Sequence, residues 1–451
     1  MIDDLQTLLI TYERAFPHLV RRFSELVSRE YIITATCLEA ETQKDPPVLI
    51  FENVEGTAWP IVTGLFSNRE RIAWALGTNA NGLHRKWIEW SSKLIPPVVV
   101  GAGFSQEIIL EGNDVNVTRL PILKHFKQDA GNYITSGIFV AKDPDTGVGN
   151  LSYARMQLKA SNKFGISMHS RGHMWDYFRR AELKGKSLEV AVIIGAHPAL
   201  MIGAASKTAI NVDEYDIAGA LLGHPVELVH ARTVDILVPA SAEIILEGII
   251  EAGEREPEGP FGEYTGYASG RSTQNVLTIK AITHRSHPIY LDTTPGYTLD
   301  HLNLSGIQRE AENLRLIQSL MPNVRSIFYP SSGTHFHCYL SIQKLRPGDA
   351  RQAGVILLGL DPYVKMVVVV DDDIEISRQD EVLWAMATRM QPQEDMFIIQ
   401  NLNCNVLDPS SREGLSSKVV IDATMPKDWD IERCTVPEEA IAAARRMLGT
   451  I

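Results

Sequence analysis

The chain has 451 residues, 45% of them hydrophobic and 22% charged, with a formal net charge of -12. That length exceeds what one core usually supports, so two or three domains are expected, and the acidic balance without a long Lys/Arg run argues against a nucleic-acid partner. Cys37, Cys338, Cys404 and Cys434 form no CxxC pair, Asp3 and Asp4 stand where a signal peptide would be basic, and no apolar run approaches roughly 18 residues, so a cytoplasmic protein with no membrane partner is expected.

Residues 3 to 28 place Leu5, Leu8, Leu9, Tyr12, Phe16, Val20 and Phe23 at helical spacing, with Pro17 expected to break the run into two helical pieces. PPVLIFENV (46–54) reads as a strand and NRERIAWALG (68–77) as a short helix ending at Gly77. The prolines and glycines of KLIPPVVVGAGFSQEIIL (93–110) read as a handover between domains. From about 132 to 294 strand patterns dominate, separated by Gly- and Pro-rich turns such as DPDTGVGN and EREPEGPFGEYTG. This is the pattern of a mostly antiparallel sheet or small barrel, with helices inserted at 175–183 and 214–222. Further helical patterns at 305–321, 349–359 and 379–390 surround KMVVVVDDD (365–373), an apolar run expected of a buried parallel strand. The fold class is therefore a multidomain α+β and α/β chain with an α/β C-terminal third.

Several stretches carry more chemistry than packing needs. PEGPFGEYTGY (257–267) holds Glu258 and Glu263 on either side of Gly259, Pro260 and Gly262, which exclude a helix. It is either a turn with solvated acids or a loop that brings two carboxylates to a ligand. NLSYARMQLKASNKFGISMHSRGHMWDYF (150–178) sets Asn150 and Arg155 around a strand, on opposite faces unless a bulge intervenes, and His169, Arg171 and His173 around Gly172 before a helix. A loop entering a helix with Arg and Gly is an anion cradle or a basic surface loop. Asp213, Glu214 and Asp216 stand at a helix start, where acids cap, and where one carboxylate is also a candidate ligand for a divalent cation. His335 and His337 are expected on one face of a strand, and Asp371 to Asp373 at a strand exit. No GxGxxG, P-loop or GxSxG is present, which removes the usual support for dehydrogenase, nucleotide hydrolase and serine hydrolase readings.

Taken together, LIFENVEG, NLSYARMQ, SRGHMWDY, EYDIAGALLG, VPASAEIILEG, PEGPFGEYTGY, WAMATRMQP and SSKVVIDAT, in that order between residues 49 and 424, resemble the UbiD family of prenylated-FMN-dependent (de)carboxylases. The resemblance implies an N-terminal α/β domain (1–105), a central split-barrel-like flavin domain (106–300), a linker helix (301–325) and a C-terminal α/β dimerisation domain (326–451). It implies a manganese-type divalent ion held by Asn150, His173 and Glu214, with a potassium ion beside it, anchoring the cofactor phosphate. Whether His169 or His173 is the ligand stays open, with His173 favoured by its distance from Asn150. It further implies catalysis by Glu258, Arg155 and Glu263, and cofactor contacts from Tyr153, Ala154, Arg155, His169, Arg171, Gly172 and Lys418.

The activity so implied is reversible non-oxidative decarboxylation of an aromatic, heteroaromatic or α,β-unsaturated carboxylic acid. Glu263 is the expected proton donor, its pKa raised by burial beside Glu258, and Arg155 is expected to orient the network and meet the substrate carboxylate. The implied partners are the small-molecule acid, a flavin prenyltransferase that supplies the cofactor, and a second copy of the chain in a dimer or larger homo-oligomer. The alternative is a metal- and flavin-binding redox flavoenzyme or assembly protein, distinguished by ordinary FMN that bleaches with hydride donors.

Overall fold

The uninterrupted apolar runs of this chain become strands covered on both faces. The structure, a computed structural model, describes residues 2–168, 172–426 and 429–448. In the strand Ile138–Lys142, Ile138 and Val140 enter one hydrophobic core while Phe139 and Ala141 enter another. Leu188–Ile194 divides in the same way, with Ala191 and Ile193 on one side and Val190 and Val192 on the other. A sheet with two buried faces has no need of polar alternation.

Among the described residues nine strands form the central sheet. Their order is Tyr133–Ile134, Arg155–Ala160, Lys163–Ser167, Ser272–His284, Ile244–Glu258, Leu188–Ile194, Ile138–Lys142 and Gly149–Tyr153, with Ile108–Glu111 pairing along Ser272–His284. All neighbours are antiparallel. Gly149–Tyr153 is the last strand of this order and Arg155–Ala160 the second, yet only Ala154 separates them in sequence. One residue cannot cross a flat sheet of this width, so the sheet curls until its two ends approach. The result is a half-barrel.

An N-terminal α/β layer abuts it. Val20–Phe23, Val48–Phe51, Ile61–Thr63 and Tyr290–Leu291 form a four-stranded sheet, so this layer takes an edge strand from far along the chain. The helix Leu5–Ala15 ends before Pro17 as expected, but the second helical piece shrinks to a single 3-10 turn, Pro17–Leu19. Val20–Phe23 is a strand instead, because its backbone pairs with Val48–Phe51 and that non-local ladder outweighs the helical spacing of Val20 and Phe23.

The helix Leu299–Leu320, capped by the Thr298 hydroxyl, leads to a C-terminal five-stranded sheet ordered Val324–Phe328, His337–Ile342, Met366–Asp371, Leu415–Asp422 and Met396–Asn403. Met366–Asp371 is parallel to both neighbours. Val367 and Val369 face one core while Val368 and Val370 face the other, and each fully buried valine contributes about 1.5–3 kcal/mol. Asp371 and Asp373 hold Arg389 by ion pairs, which makes that acid run structural. The two histidines expected on one strand face part company. His337 opens the strand, whereas His335 precedes it with φ 65°, buried against the Ser305 hydroxyl at 2.8 Å. Among the described residues no helix is long and apolar enough to cross a membrane.

Candidate active site

Two buried polar clusters lie against the curled sheet, and the chain 149–160 carries one residue into each. The first forms where Gly149–Tyr153 passes the start of the helix Glu214–Leu222. A Cβ on Gly149 would stand 2.2 Å from Asp213 Oδ2, so only glycine lets strand and helix approach this closely. Asp213 caps the helix by accepting the Tyr215 N–H at 2.9 Å. Glu214, the first helical residue, is buried and accepts the Leu151 N–H at 2.7 Å, the Thr208 hydroxyl at 2.6 Å and the Asn150 amide NH2 at 3.1 and 3.2 Å. The same NH2 group lies 3.3 Å from Nδ1 of His173, the first residue of the helix His173–Leu183, for which Gly172 is the N-cap.

The electrostatics of this cluster are those of a carboxylate lacking a counterion. Burial pushes Glu214 up to about 7 against the opposing pull of its hydrogen bonds, and burial lowers His173. Asn150 Oδ1 is buried without a partner. Among the described residues no group of three or more His, Cys, Asp or Glu surrounds a point, and the third polar group here is the Asn150 amide, which turns its NH2 toward Glu214 and His173. An Asn150 amide turned over would present oxygen beside a carboxylate and an imidazole, a donor mixture suited to a hard or borderline divalent ion. Both His173 and Glu214 begin helices, whose positive dipole ends favour an anion such as a phosphate.

The second cluster centres on Arg155, the first residue of its strand. Its Nε and Nη2 donate to the two oxygens of Glu258 at 2.9 and 2.8 Å, and its Nη1 donates to Glu263. Glu258 ends the strand Ile244–Glu258 and is fully buried. Glu263 sits in a small hairpin, where its N–H donates to the Tyr267 carbonyl and the Gly266 N–H donates to its own carbonyl, both at 2.9 Å. Gly259 (φ 81°) and Gly266 (φ 82°) supply the left-handed turns that fold this hairpin back over the strand end. Phe261 lies with its ring centroid 5.0 Å from Arg155 Cζ and 4.6 Å from the Tyr133 ring, closing one side of the guanidinium. Burial raises Glu263, Arg155 pulls it back in part, and the Glu258 charge adds to the rise. For Arg155 the downward push of burial is outweighed by the Glu258 hydrogen bonds and the charges of both acids, for a net rise.

The remaining expected residues divide. Tyr153 donates its hydroxyl to the Met201 carbonyl at 3.0 Å, and Ala154 is buried at the junction of the two strands. Lys418 is buried in the C-terminal sheet and donates to the Pro362 carbonyl at 3.1 Å, so the structure pairs it there and not with the Asn150 group. His169 and Arg171 lie outside the described residues. The strand break at Ala154 resolves the phasing of Asn150 and Arg155, since they lie on separate strands and no alternation links them.

Sequence reasoning did not single out Thr208, which donates to Glu214, or Asp129, which accepts the Gly262 N–H at 2.9 Å. Nor did it find the wall around Tyr264, whose ring lies 5.7 Å from His335, 6.0 Å from Phe336 and 6.1 Å from Tyr363. No local pattern marks these residues, because topology alone brings them together.

Comparison with known proteins bears on the chain as a whole. Residues 17–90, 98–298 and 302–423 match, in turn, the N-terminal, Rift-related and C-terminal domains of 3-octaprenyl-4-hydroxybenzoate carboxy-lyase. An anhydromevalonate phosphate decarboxylase of Methanothermobacter thermautotrophicus is 31% identical over 90% of this chain and 97% of that protein. The UbiD-class enzyme HmfF of Pelotomaculum thermopropionicum in complex with FMN superposes with a TM-score of 0.92 at 37% identity, over 97% of this chain and 98% of that one. An evolved dimeric form of HmfF in complex with prFMN gives a TM-score of 0.89 at 36% identity, with the same coverage.

Proposed function

Because the chain belongs to the UbiD family of prenylated-FMN-dependent (de)carboxylases, and is therefore a carboxy-lyase, we propose that Arg155, Glu258 and Glu263 handle the proton that replaces CO2. The reaction class is non-oxidative (de)carboxylation. When bound, prenylated FMN supplies the electron sink that the departing CO2 requires. The chain's own residues do the rest. Glu263 gives a proton to the reacting carbon in the decarboxylating direction and takes one in the reverse. Arg155, held bidentate by Glu258, fixes the Glu263 carboxyl and turns its charge toward an incoming carboxylate. The observation that carries this reading is the buried Glu258–Arg155–Glu263 chain, in which burial pushes the Glu263 carboxyl up while Arg155 draws it partly back.

A donor must arrive protonated. Decarboxylation is therefore expected to persist below the raised pKa of Glu263 and to fall as pH rises through it. A pH–rate profile at saturating substrate checks this, and a descending limb near the ordinary Glu value of about 4.3 would contradict it.

Asn150, His173 and Glu214 would hold a divalent ion of the manganese type, and with it the phosphate end of the cofactor, with potassium as a companion ion. The support is the orphaned Asn150 oxygen and the buried, uncompensated Glu214. The substrate is an aromatic, heteroaromatic or α,β-unsaturated acid, and a flavin prenyltransferase supplies the cofactor. Unpaired cysteines fit a reducing cytoplasm. Coexpression with the prenyltransferase, mass identification of the bound flavin and a screen of such acids for CO2 release test the assignment. Ordinary FMN that bleaches with hydride donors, with no CO2 from any acid, would overturn it.

The partner is a second copy of this chain, docked on the C-terminal domain. The edge strand Met396–Asn403 leaves Phe397 and Ile398 exposed, and the amphipathic helix Glu438–Leu448 buries none of its residues. Ile398→Asp is expected to convert a dimer to a monomer in light scattering, and a monomeric parent protein would refute the proposal.

A further inference from the structure

The hairpin that carries Glu263 is weakly held by its own sequence. Gly259, Gly262, Gly266 and Gly270 give it a flexible backbone, and its internal pairing is a single bridge between Gly262 and Ala268 with the turns around it. Beside the Arg155 contact to Glu263 and the packing of Tyr264, it is held in position by a different segment, residues 125–133. Asp129 Oδ1 accepts the Gly262 N–H at 2.9 Å, while its Oδ2 accepts the N–H groups of Phe126 at 2.8 Å and His125 at 3.2 Å. The Ala130 N–H and the Tyr133 hydroxyl both donate to the Pro260 carbonyl, at 2.9 and 3.3 Å. The Phe126 ring fills the space a side chain on Gly262 would need, 2.3 Å from that Cβ position, and does the same at Gly296, 2.6 Å away. His125 in turn is anchored through Nε2 to Asp292 at 3.0 Å.

We infer that Asp129 is a positioning residue, clamping Gly262 so that the neighbouring Glu263 keeps its place against Arg155. Its carboxylate is buried, and all three N–H groups it satisfies belong to the hairpin or to the clamp, so it joins one to the other. This rests on Glu263 being the proton donor. A donor displaced by about 1 Å forfeits up to about a hundredfold in rate while substrate binding is untouched.

In the flavin-loaded enzyme, Asp129→Ala is expected to keep its flavin content and lower kcat by about tenfold to a hundredfold, with KM unchanged. The descending limb of its pH profile is expected to move to lower pH, because a loosened hairpin admits water to a carboxyl that burial had raised. Asp129→Asn can accept on one side only, so an intermediate kcat is expected. If the alanine variant does not fold, the Asn variant decides, together with faster amide exchange of the peptide 257–267. A folded variant with unchanged kcat, or with a fallen kcat but an unmoved pH limb, overturns the inference. Full turnover by Glu263→Gln overturns the donor reading on which it rests, whereas an inactive Glu263→Gln beside a fully active Asp129→Ala sinks the clamp alone.

Discussion

Glu263→Gln is expected to lower kcat by about 10²- to 10⁴-fold, the usual worth of a positioned general acid, while flavin and metal content stay at parent levels. The amide has the size of the carboxyl and its oxygen still accepts from Arg155 Nη1, so the guanidinium stays in place. What is lost is a proton to give. CO2 release and substrate-dependent deuterium incorporation at the reacting carbon should therefore fall together in D2O. CO2 released in a single turnover without deuterium incorporation would place the lost step at protonation and support the donor role, whereas full turnover with incorporation intact would remove Glu263 from proton transfer altogether. Glu258 is distinct in kind, being fully buried and bonded through both oxygens to one guanidinium, which suits it to fixing Arg155.

Glu214→Gln is expected to strip the protein of divalent metal and flavin together. Removing a residue that merely orients a ligand typically costs 10- to 100-fold in metal affinity, so loss of an anionic ligand should exceed about a hundredfold. The readouts are metal content by mass spectrometry and flavin absorbance per chain, neither of which needs substrate. Far-UV circular dichroism of the metal-free variant should remain that of a folded protein, because in the metal-free chain burial pushes the Glu214 carboxyl up to about 7 and its charge opposes folding at neutral pH. The sign is consistent: a raised carboxyl contributes most below its unfolded pKa and loses that contribution as pH climbs toward 7. Retention of metal with loss of flavin would make Glu214 a cofactor contact and not a metal ligand. Retention of both would refute the site.

How much of this was legible in the sequence follows from how local each signal is. KMVVVVDDD could be read as a doubly buried parallel strand because four adjacent valines have no other use, and Val367 to Val370 indeed alternate between two cores. Residues 214–222 could be read as a helix because Asp213 caps it and Gly223 ends it in the left-handed region. Residues 20–23 could not be read correctly, since their strand exists only through a ladder with residues 48–51. In the site, PEGPFGEYTGY displayed its two acids and its bends, but nothing local indicated that Arg155, about a hundred residues upstream, would bond to both. The motif resemblance supplied that association, and the structure brings the three together. Asp129 was beyond reach by any local rule: its partner Gly262 is 133 positions away, and a lone Asp in HFKQDAGN resembles any turn residue.

The one-residue break at Ala154 also sets an upper limit on a length. Asn150 and Arg155 are joined by extended backbone, so their Cα atoms stand at most about 17 Å apart. That tether works as a gauge cut into the fold: it limits how far the cluster proposed to grip an anionic tail can lie from the cluster proposed to move a proton. The loops and aromatic walls around Tyr264 can then diversify to suit different acids while the gauge keeps its setting.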